Sequence, residues 1–252
     1  MDYKQKLSEH YNKFNEDKRL LRRHGQVEYI TSMKYIHQYL SSGDKIIDIG
    51  AGSGRYAIAL KNEGYDVTAV ELCRPNIGKI KRNDPNLKVI EASGTDLSMF
   101  KDDEFDVAIM FGPLYHLYEK QDKIKALLEA KRITKKYIFV AYIMNEYSVI
   151  EYAFKDNHYK EVKDKLKDDF HIDDKDELYF QVRIEDIDEL NSLTNLQSIQ
   201  RFAQDGPSDY IRPYINKMDE ETFNAYIDFH LKTCERKELL GASSHVVDIL
   251  KK

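Results

Sequence analysis

The sequence predicts an α/β fold, a mostly parallel sheet with helices packed on both of its faces. Three observations predict it. Between residues 44 and 142 strand-like and helix-like segments alternate. The strand-like runs IIDI, VTAV, VAIM and YIFVAYI are short and apolar throughout, as strands covered on both faces are. Glycines fall where such a chain must turn: Gly50 after the first run, and Gly64 after the first helical segment, where it serves as a C-terminal cap.

The elements follow in order as DKIIDIG, RYAIALKNEG, DVTAVEL, NIGKIKRN, LKVIEA, FDVAIMF, DKIKALLEAKRI and KYIFVAYI, repeated strand and helix units of the kind that build parallel sheets. Ahead of them the pattern predicts helices over 3–21 and 27–41. The second carries Val27, Ile30, Met33, Tyr35, Ile36 and Leu40 at a spacing suited to covering a sheet edge. Residues 145–192 are rich in charge and tyrosine and read as a helical excursion without strand and helix repeats of their own. LQSIQRFAQ predicts a strand over 196–203. A second excursion, 205–240, contains a helix with Asp219 as N-cap and an apolar stripe of Phe223, Tyr226, Ile227, His230 and Leu231. SSHVVDILKK then gives a closing strand over 243–250, expected to form an antiparallel pair with its predecessor. The chain therefore reads as one domain, 1–252, with N-terminal helices over 1–41, a core over 44–142 and lid insertions at 145–192 and 205–240.

Composition narrows the function. A chain of 252 residues, 42% apolar and 33% charged, can bury a full-sized core. No apolar run approaches the roughly 18 residues of a bilayer span, and MDYKQKLSEHYNKFNEDKRL is too charged for a secretory signal. The expectation is a cytoplasmic protein without a membrane partner. Cys73 and Cys234 lie far apart, with no CxxC or Cys/His spacing, so neither a disulfide framework nor a metal site is expected. A formal charge of −5 gives no general attraction to phosphate backbones, and nucleic acid is not the expected partner. The basic run KRITKK at 131–136 reads as a helix C-terminus, where cations complement the helix dipole.

The sharpest signal is the turn GAGSGR, residues 50–55, directly after the first strand. Glycines there permit a sharp turn and close approach of a ligand, and the helix that follows presents free N–H groups. A dinucleotide fingerprint needs GxGxxG, but here the third glycine comes one residue early and Arg55 stands in its place, which disfavours NAD. The second strand ends in Glu71, where a carboxylate can accept both hydroxyls of a ribose. The third is followed by EASGTDLSMF, which puts Asp96 within reach of an adenine amino group at the same edge.

IIDIGAGSGR, Glu71, GTDLSMF and FDVAIMFGPLYHL, taken in succession, resemble the motifs of class I S-adenosylmethionine-dependent methyltransferases. The resemblance spans about 44–142 and extends to the closing strands. It implies a Rossmann-like fold: a mostly parallel seven-stranded sheet with the last strand antiparallel, plus helical lids. NEDKRLLRRHGQVEY and GASSHVVDILKK also resemble a subgroup of small bacterial methyltransferases. The resemblance implies S-adenosyl-L-methionine as cofactor and S-adenosyl-L-homocysteine as product. It makes Asp48, Gly50, Gly52 and Gly54 the methionine-side wall, gives Glu71 the ribose and Asp96 the adenine, packs Leu97 on the ring, and passes Phe111 and Gly112 beneath the sulfonium. Arg55 would pair with the cofactor carboxylate or stand solvated in the first helical turn. Tyr11 and Arg19 would reach the cofactor from an N-terminal helix folded over it, with pairing to Glu16 the alternative for Arg19.

Methyl transfer needs an aligned nucleophile, exclusion of water and, for some acceptors, removal of a proton. In MFGPLYHLYEK, His116 can accept a proton near neutral pH, and Tyr115 and Tyr118 flank it. Packing roles are the alternatives for all three. The Asn/Asp-Pro-Pro-aromatic sequence of many base and glutamine-amide methyltransferases is replaced here by FGPLYHL, and neither cysteine lies in a Pro-Cys pair. The expected acceptor is an O, N or S atom of a small molecule. The alternatives are an RNA or protein methyltransferase and a cofactor-binding regulator without turnover. The 205–240 stripe is expected to face the core, with a homodimer contact as its alternative.

Overall fold

In the computed structural model of the protein the described residues are 6, 7, 9 and 22–252. Their eight strands form one sheet: β1 (Lys45–Ile49), β2 (Asp66–Glu71), β3 (Lys88–Glu91), β4 (Phe105–Met110), β5 (Thr134–Met144), β6 (Gln181–Val182), β7 (Gln197–Ala203) and β8 (His245–Lys251). The spatial order is β3-β2-β1-β4-β5-β8-β7, with the two-residue β6 beside the end of β5. Strand β8 is antiparallel to β5 and to β7, so it alone runs against the sheet, and the other pairings are parallel. The seven main strands thus have the expected arrangement, and β6 is a small addition to it.

The helices α1 (Arg23–Tyr39), α2 (Arg55–Asn62), α3 (Arg74–Asn83), α4 (Lys120–Ile133), α5 (Ile184–Thr194) and α6 (Glu220–Thr233) complete the layers. The apolar runs are strands because both faces need covering: Ile46, Ile47 and Ile49 have no exposed surface. Helix α1 begins earlier than its apolar spacing suggests and lays Tyr35 flat on Phe202 of β7, with ring centroids 3.9 Å apart. The helix expected over 3–21 lies largely outside the described residues.

The 145–192 segment is helical in its first part, as expected, and differs in its second. After a short helix, Asn145–Val149, and a run of short helical turns through Lys163–Lys165, the chain returns to the sheet at β6 and enters α5. This helix packs on α4 and β7 and buries Ile187 and Leu190 in the main core, so it is a layer helix and no part of a lid. Its sequence, IEDIDELNSLT, alternates acids with a narrow apolar stripe, and the charge-rich run before it hid the boundary. In the second excursion Asp219 caps α6 as expected, accepting the Thr222 N–H at 2.8 Å. Phe223 and His230 of the stripe are buried, and Phe223 joins Val27 and Ile215 in a satellite core that fastens α6 to α1.

The basic run 131–136 is consumed within the molecule. Lys131 donates to the carbonyls of Thr194 and Asn195, Arg132 donates to those of Leu97 and Phe100, and Lys135 and Lys136 pair with Asp106 and Asp44. Both cysteines are buried as free thiols. Among the described residues no helix is long and apolar enough to cross a membrane.

The reversed strand is pinned by a buried carboxylate. Asp248 has no exposed surface and accepts from Asn191 Nδ2 at 2.7 Å, Ser198 Oγ at 2.5 Å and Arg201 Nη2 at 2.8 Å. These donors come from α5 and β7, so one side chain joins three elements. Replacing it leaves the largely buried Arg201 guanidinium with only the exposed carboxylate of Asp188. Asp248→Ala is expected to cost about 3 kcal/mol in urea unfolding, the scale for breaking one partner out of a buried pair.

Candidate cofactor and acceptor site

Strand order reverses between β1 and β4, and the chain leaves both strands at the same edge, the place where open α/β sheets bind ligands. There the two turns touch. Gly50 has φ +73°, and a Cβ on it would lie 2.6 Å from Pro113 Cγ; a Cβ on Gly112 would lie 3.0 Å from Gly50 O. Gly52, at φ +58°, has open space where a side chain would be, and its N–H donates to Glu71 Oε2 at 2.8 Å. The turn therefore presents bare backbone to whatever lies above it.

Two carboxylates stand beneath. Glu71, 5% exposed at the end of β2, also accepts the Cys73 N–H through Oε1 at 2.7 Å. Burial raises its pKa above the ordinary value, opposed by its hydrogen bonds to Cys73, Gly52 and Asn76. Asp48, 2% exposed, accepts from the Ala57 N–H, while its Oδ2 has no partner among the described residues. Burial, with the Glu71 charge adding to it, pushes Asp48 up to about 7. A buried pair of acceptors with unfilled capacity is matched to a ligand rich in donors.

These groups line a cavity of about 590 Å³, within the usual range for a small-molecule site. Of the residues singled out from the sequence, the structure brings together on its wall Asp48, Gly50, Gly52, Arg55 and Glu71 from the β1 and β2 ends, and Phe111, Gly112, Tyr115 and His116 after β4. Three others lie off the wall. Gly54 instead lets α2 approach α3, since a Cβ there would meet Ile80 Cγ1 at 2.9 Å. Asp96 is exposed and accepts the Ser98 N–H at 3.2 Å, and Leu97 is fully buried in the core beneath. Their turn contributes Ala92, Ser93, Gly94 and Thr95 to the wall. Tyr11 and Arg19 lie outside the described residues.

Arg55 spreads its guanidinium over the Tyr29 ring, 4.1 Å from the centroid, which holds it at the cavity rim. Tyr115 Oη donates to Phe111 O at 2.6 Å, across the chain crossing. His116 Nδ1 donates to Leu178 O at 2.7 Å, and its ring lies 4.8 Å from that of Tyr115 and 5.0 Å from that of Tyr179. Tyr118 is no part of this wall, for its hydroxyl donates to Asp173 at 3.1 Å. The sequence reading missed the far wall, which includes Tyr147, Tyr179, Gln204, Asp209, Arg212 and His245. Gln204 directly follows β7 and His245 opens β8, so polar residues at the ligand-side ends of the closing strands were the available signal.

Fold, crossing and buried acceptors form one candidate ligand site at the switch point of the sheet. Residues 47–139 match the family model described as a methyltransferase domain. It is similar to an uncharacterized protein of Methanocaldococcus jannaschii, 30% identical over 151 residues, covering 59% of this chain and 53% of that protein. It is also similar to the cypemycin N-terminal methyltransferase of a Streptomyces species, 33% identical over 88 residues, 34% of this chain and 35% of that one. The matched region therefore spans about half or less of these relatives. In fold it resembles a methyltransferase structure from Thermotoga maritima, described as a possible histamine N-methyltransferase, with TM-score 0.58 and 20% identity over 96% of this chain and 98% of that one.

The raised Asp48 pKa has a consequence for stability. A carboxyl whose folded pKa lies above its unfolded value stabilises fully below the unfolded pKa, near 3.8, and that contribution is lost as pH rises through about 7. The ligand-free protein is expected to lose about 2 to 3 kcal/mol through this group between pH 5 and 8. In Asp48→Asn that decline disappears, as urea unfolding at the two pH values will show.

Proposed function

We propose that the protein transfers the methyl group of S-adenosylmethionine to an O, N or S atom of a small molecule. The observation that carries this reading is the continuity of one cavity, from the glycine turn and Glu71 to a far wall of tyrosines and polar lid residues. S-adenosylmethionine supplies an activated methyl on a sulfonium. On this reading Glu71 accepts the ribose hydroxyls, and Gly52 offers bare backbone beside them. Asp48 Oδ2 supplies an acceptor for the ammonium of the methionine part, and Arg55 stands at the rim for its carboxylate. Phe111 and Gly112 form the floor where the two turns cross, and Tyr115, tied to Phe111, borders the acceptor space.

The chemistry then asks for alignment and dryness. Tyr147, held by its hydrogen bond to Asp209 at 2.9 Å, and Tyr179 close the acceptor side with aromatic surface. A cavity of about 590 Å³ suits a metabolite-sized acceptor beside the cofactor. The internal use of the 131–136 cations removes the basic run that an RNA substrate would have met. A peptide acceptor is the second reading, prompted by the relative named for N-terminal methylation.

Purified protein incubated with methyl-labelled S-adenosylmethionine and a cell extract, split into metabolites, RNA and protein, is expected to put label in the metabolite fraction. Label confined to protein or RNA would move the acceptor to that class. Glu71→Ala is expected to weaken cofactor binding by roughly 1.5 to 3 kcal/mol in calorimetry, the scale of hydrogen bonds to a charged group. Unchanged affinity would remove Glu71 from the ribose site.

A further inference from the structure

We infer that His245 is the base that removes the acceptor's proton, with Asp205 as its positioning residue; this rests on the methyl-transfer reading of the cavity. Asp205 lies two residues beyond the ligand-side end of β7 and is 3% exposed. Its Oδ2 accepts from His245 Nδ1 at 2.7 Å, and its Oδ1 accepts from His245 N at 2.9 Å and Ser243 Oγ at 2.8 Å. The backbone is pinned as well, since Gln204 N donates to His245 O at 2.9 Å. The ring is thus fixed in place and in tautomer: an ionised carboxylate only accepts, so Nδ1 carries the proton and the basic lone pair sits on Nε2.

Burial opposes the charge on Asp205, but the adjacent His245 and the surrounding donors outweigh it and hold the carboxyl below its ordinary range. The carboxylate therefore stays ionised to stabilise an imidazolium. The His245 ring lies on the cavity wall, 6.3 Å from the Tyr115 ring, and Tyr115 is bonded to the chain crossing beneath the reactive end of the proposed cofactor site. Among the described residues, the charged and titratable groups around it include Asp205, Glu28 of α1, Tyr115, and Asp209 and Arg212 farther along the wall.

His116 is the competing histidine, and its Nδ1 meets a neutral carbonyl. A carboxylate partner makes His245 the stronger base of the two. In the step, the acceptor's X–H bond breaks and its proton goes to His245 Nε2. The pair on X forms the new bond to the methyl carbon as the C–S bond breaks and its pair returns to sulfur. This assigns an acceptor that bears a removable proton, a hydroxyl, thiol or N–H, and not a thioether or tertiary amine. One rival use of these residues exists: donor atoms of Glu28, Asp205 and His245 lie within 4.8 Å of one another, close enough to hold a cation. Asp205 Oδ1 already accepts two bonds and its Oδ2 already holds His245 Nδ1, and this favours the base.

The test uses His245→Asn, which keeps a donor for Asp205 but has no titratable nitrogen, and Asp205→Asn. Transfer of label to the metabolite fraction is followed across neutral pH, binding of S-adenosylhomocysteine by calorimetry, and titration of the His245 ring by NMR in that complex. His245→Asn is expected to lower the rate by roughly 10² to 10⁴ and to abolish its rise with pH, with S-adenosylhomocysteine affinity unchanged. Asp205→Asn is expected to lower the NMR midpoint of His245. A wild-type rate in His245→Asn, an unmoved midpoint, or a rate that chelator abolishes and Mg²⁺ or Zn²⁺ restores would overturn the inference alone. Wild-type protein that binds the cofactor product yet labels no fraction would overturn the transfer reading, and the base with it.

Discussion

Everything at the ligand edge hangs on a buried carboxylate that the glycine turn itself must satisfy. Glu71 is taken out of water at the end of β2 and receives N–H groups from Gly52 and from Cys73. A buried anion without such donors would be costly, so the path of the chain after β1 is set by the need to deliver one. The same path exposes Gly52 and brings Gly50 against Pro113. Solvating one side chain therefore shapes the turn, fixes the crossing with the β4 loop and leaves acceptor capacity facing the cavity.

The parallel half of this molecule was legible because its signals are local. IIDI and VAIM are too apolar to be anything but doubly covered, and GAGSGR allows few backbone paths. Asp48 and Glu71 were legible as well, because an acid inside such a run is conspicuous. Asp96 and Leu97 show the limit: position in the loop after β3 was readable, but which of its residues turn toward the cavity depends on packing, and Leu97 went inward. Helix α5 was hidden by its acids, since its burial depends on α4 and β7, which lie far off in sequence. Asp205 and His245 were invisible for the same reason: 40 residues separate them, and only the sheet brings them together.

The two halves of the site are built by different means. Backbone groups and short side chains from the β1 and β2 ends make the near wall of the cavity. Side chains from segments after β5 make the far wall. The far wall can therefore vary in the later segments without disturbing the glycine turn.

The position of β8 also bears on how the chain is made. It is the last of the eight strands in sequence, yet it lies between β5 and β7. While the polypeptide emerges from the ribosome, β5 has an open edge and β7 has no partner until β8 arrives. Unpaired edges invite pairing with other chains. Completion of the sheet and completion of the His245 pair are thus one event, so a nascent chain holds no finished far wall before its central gap is filled.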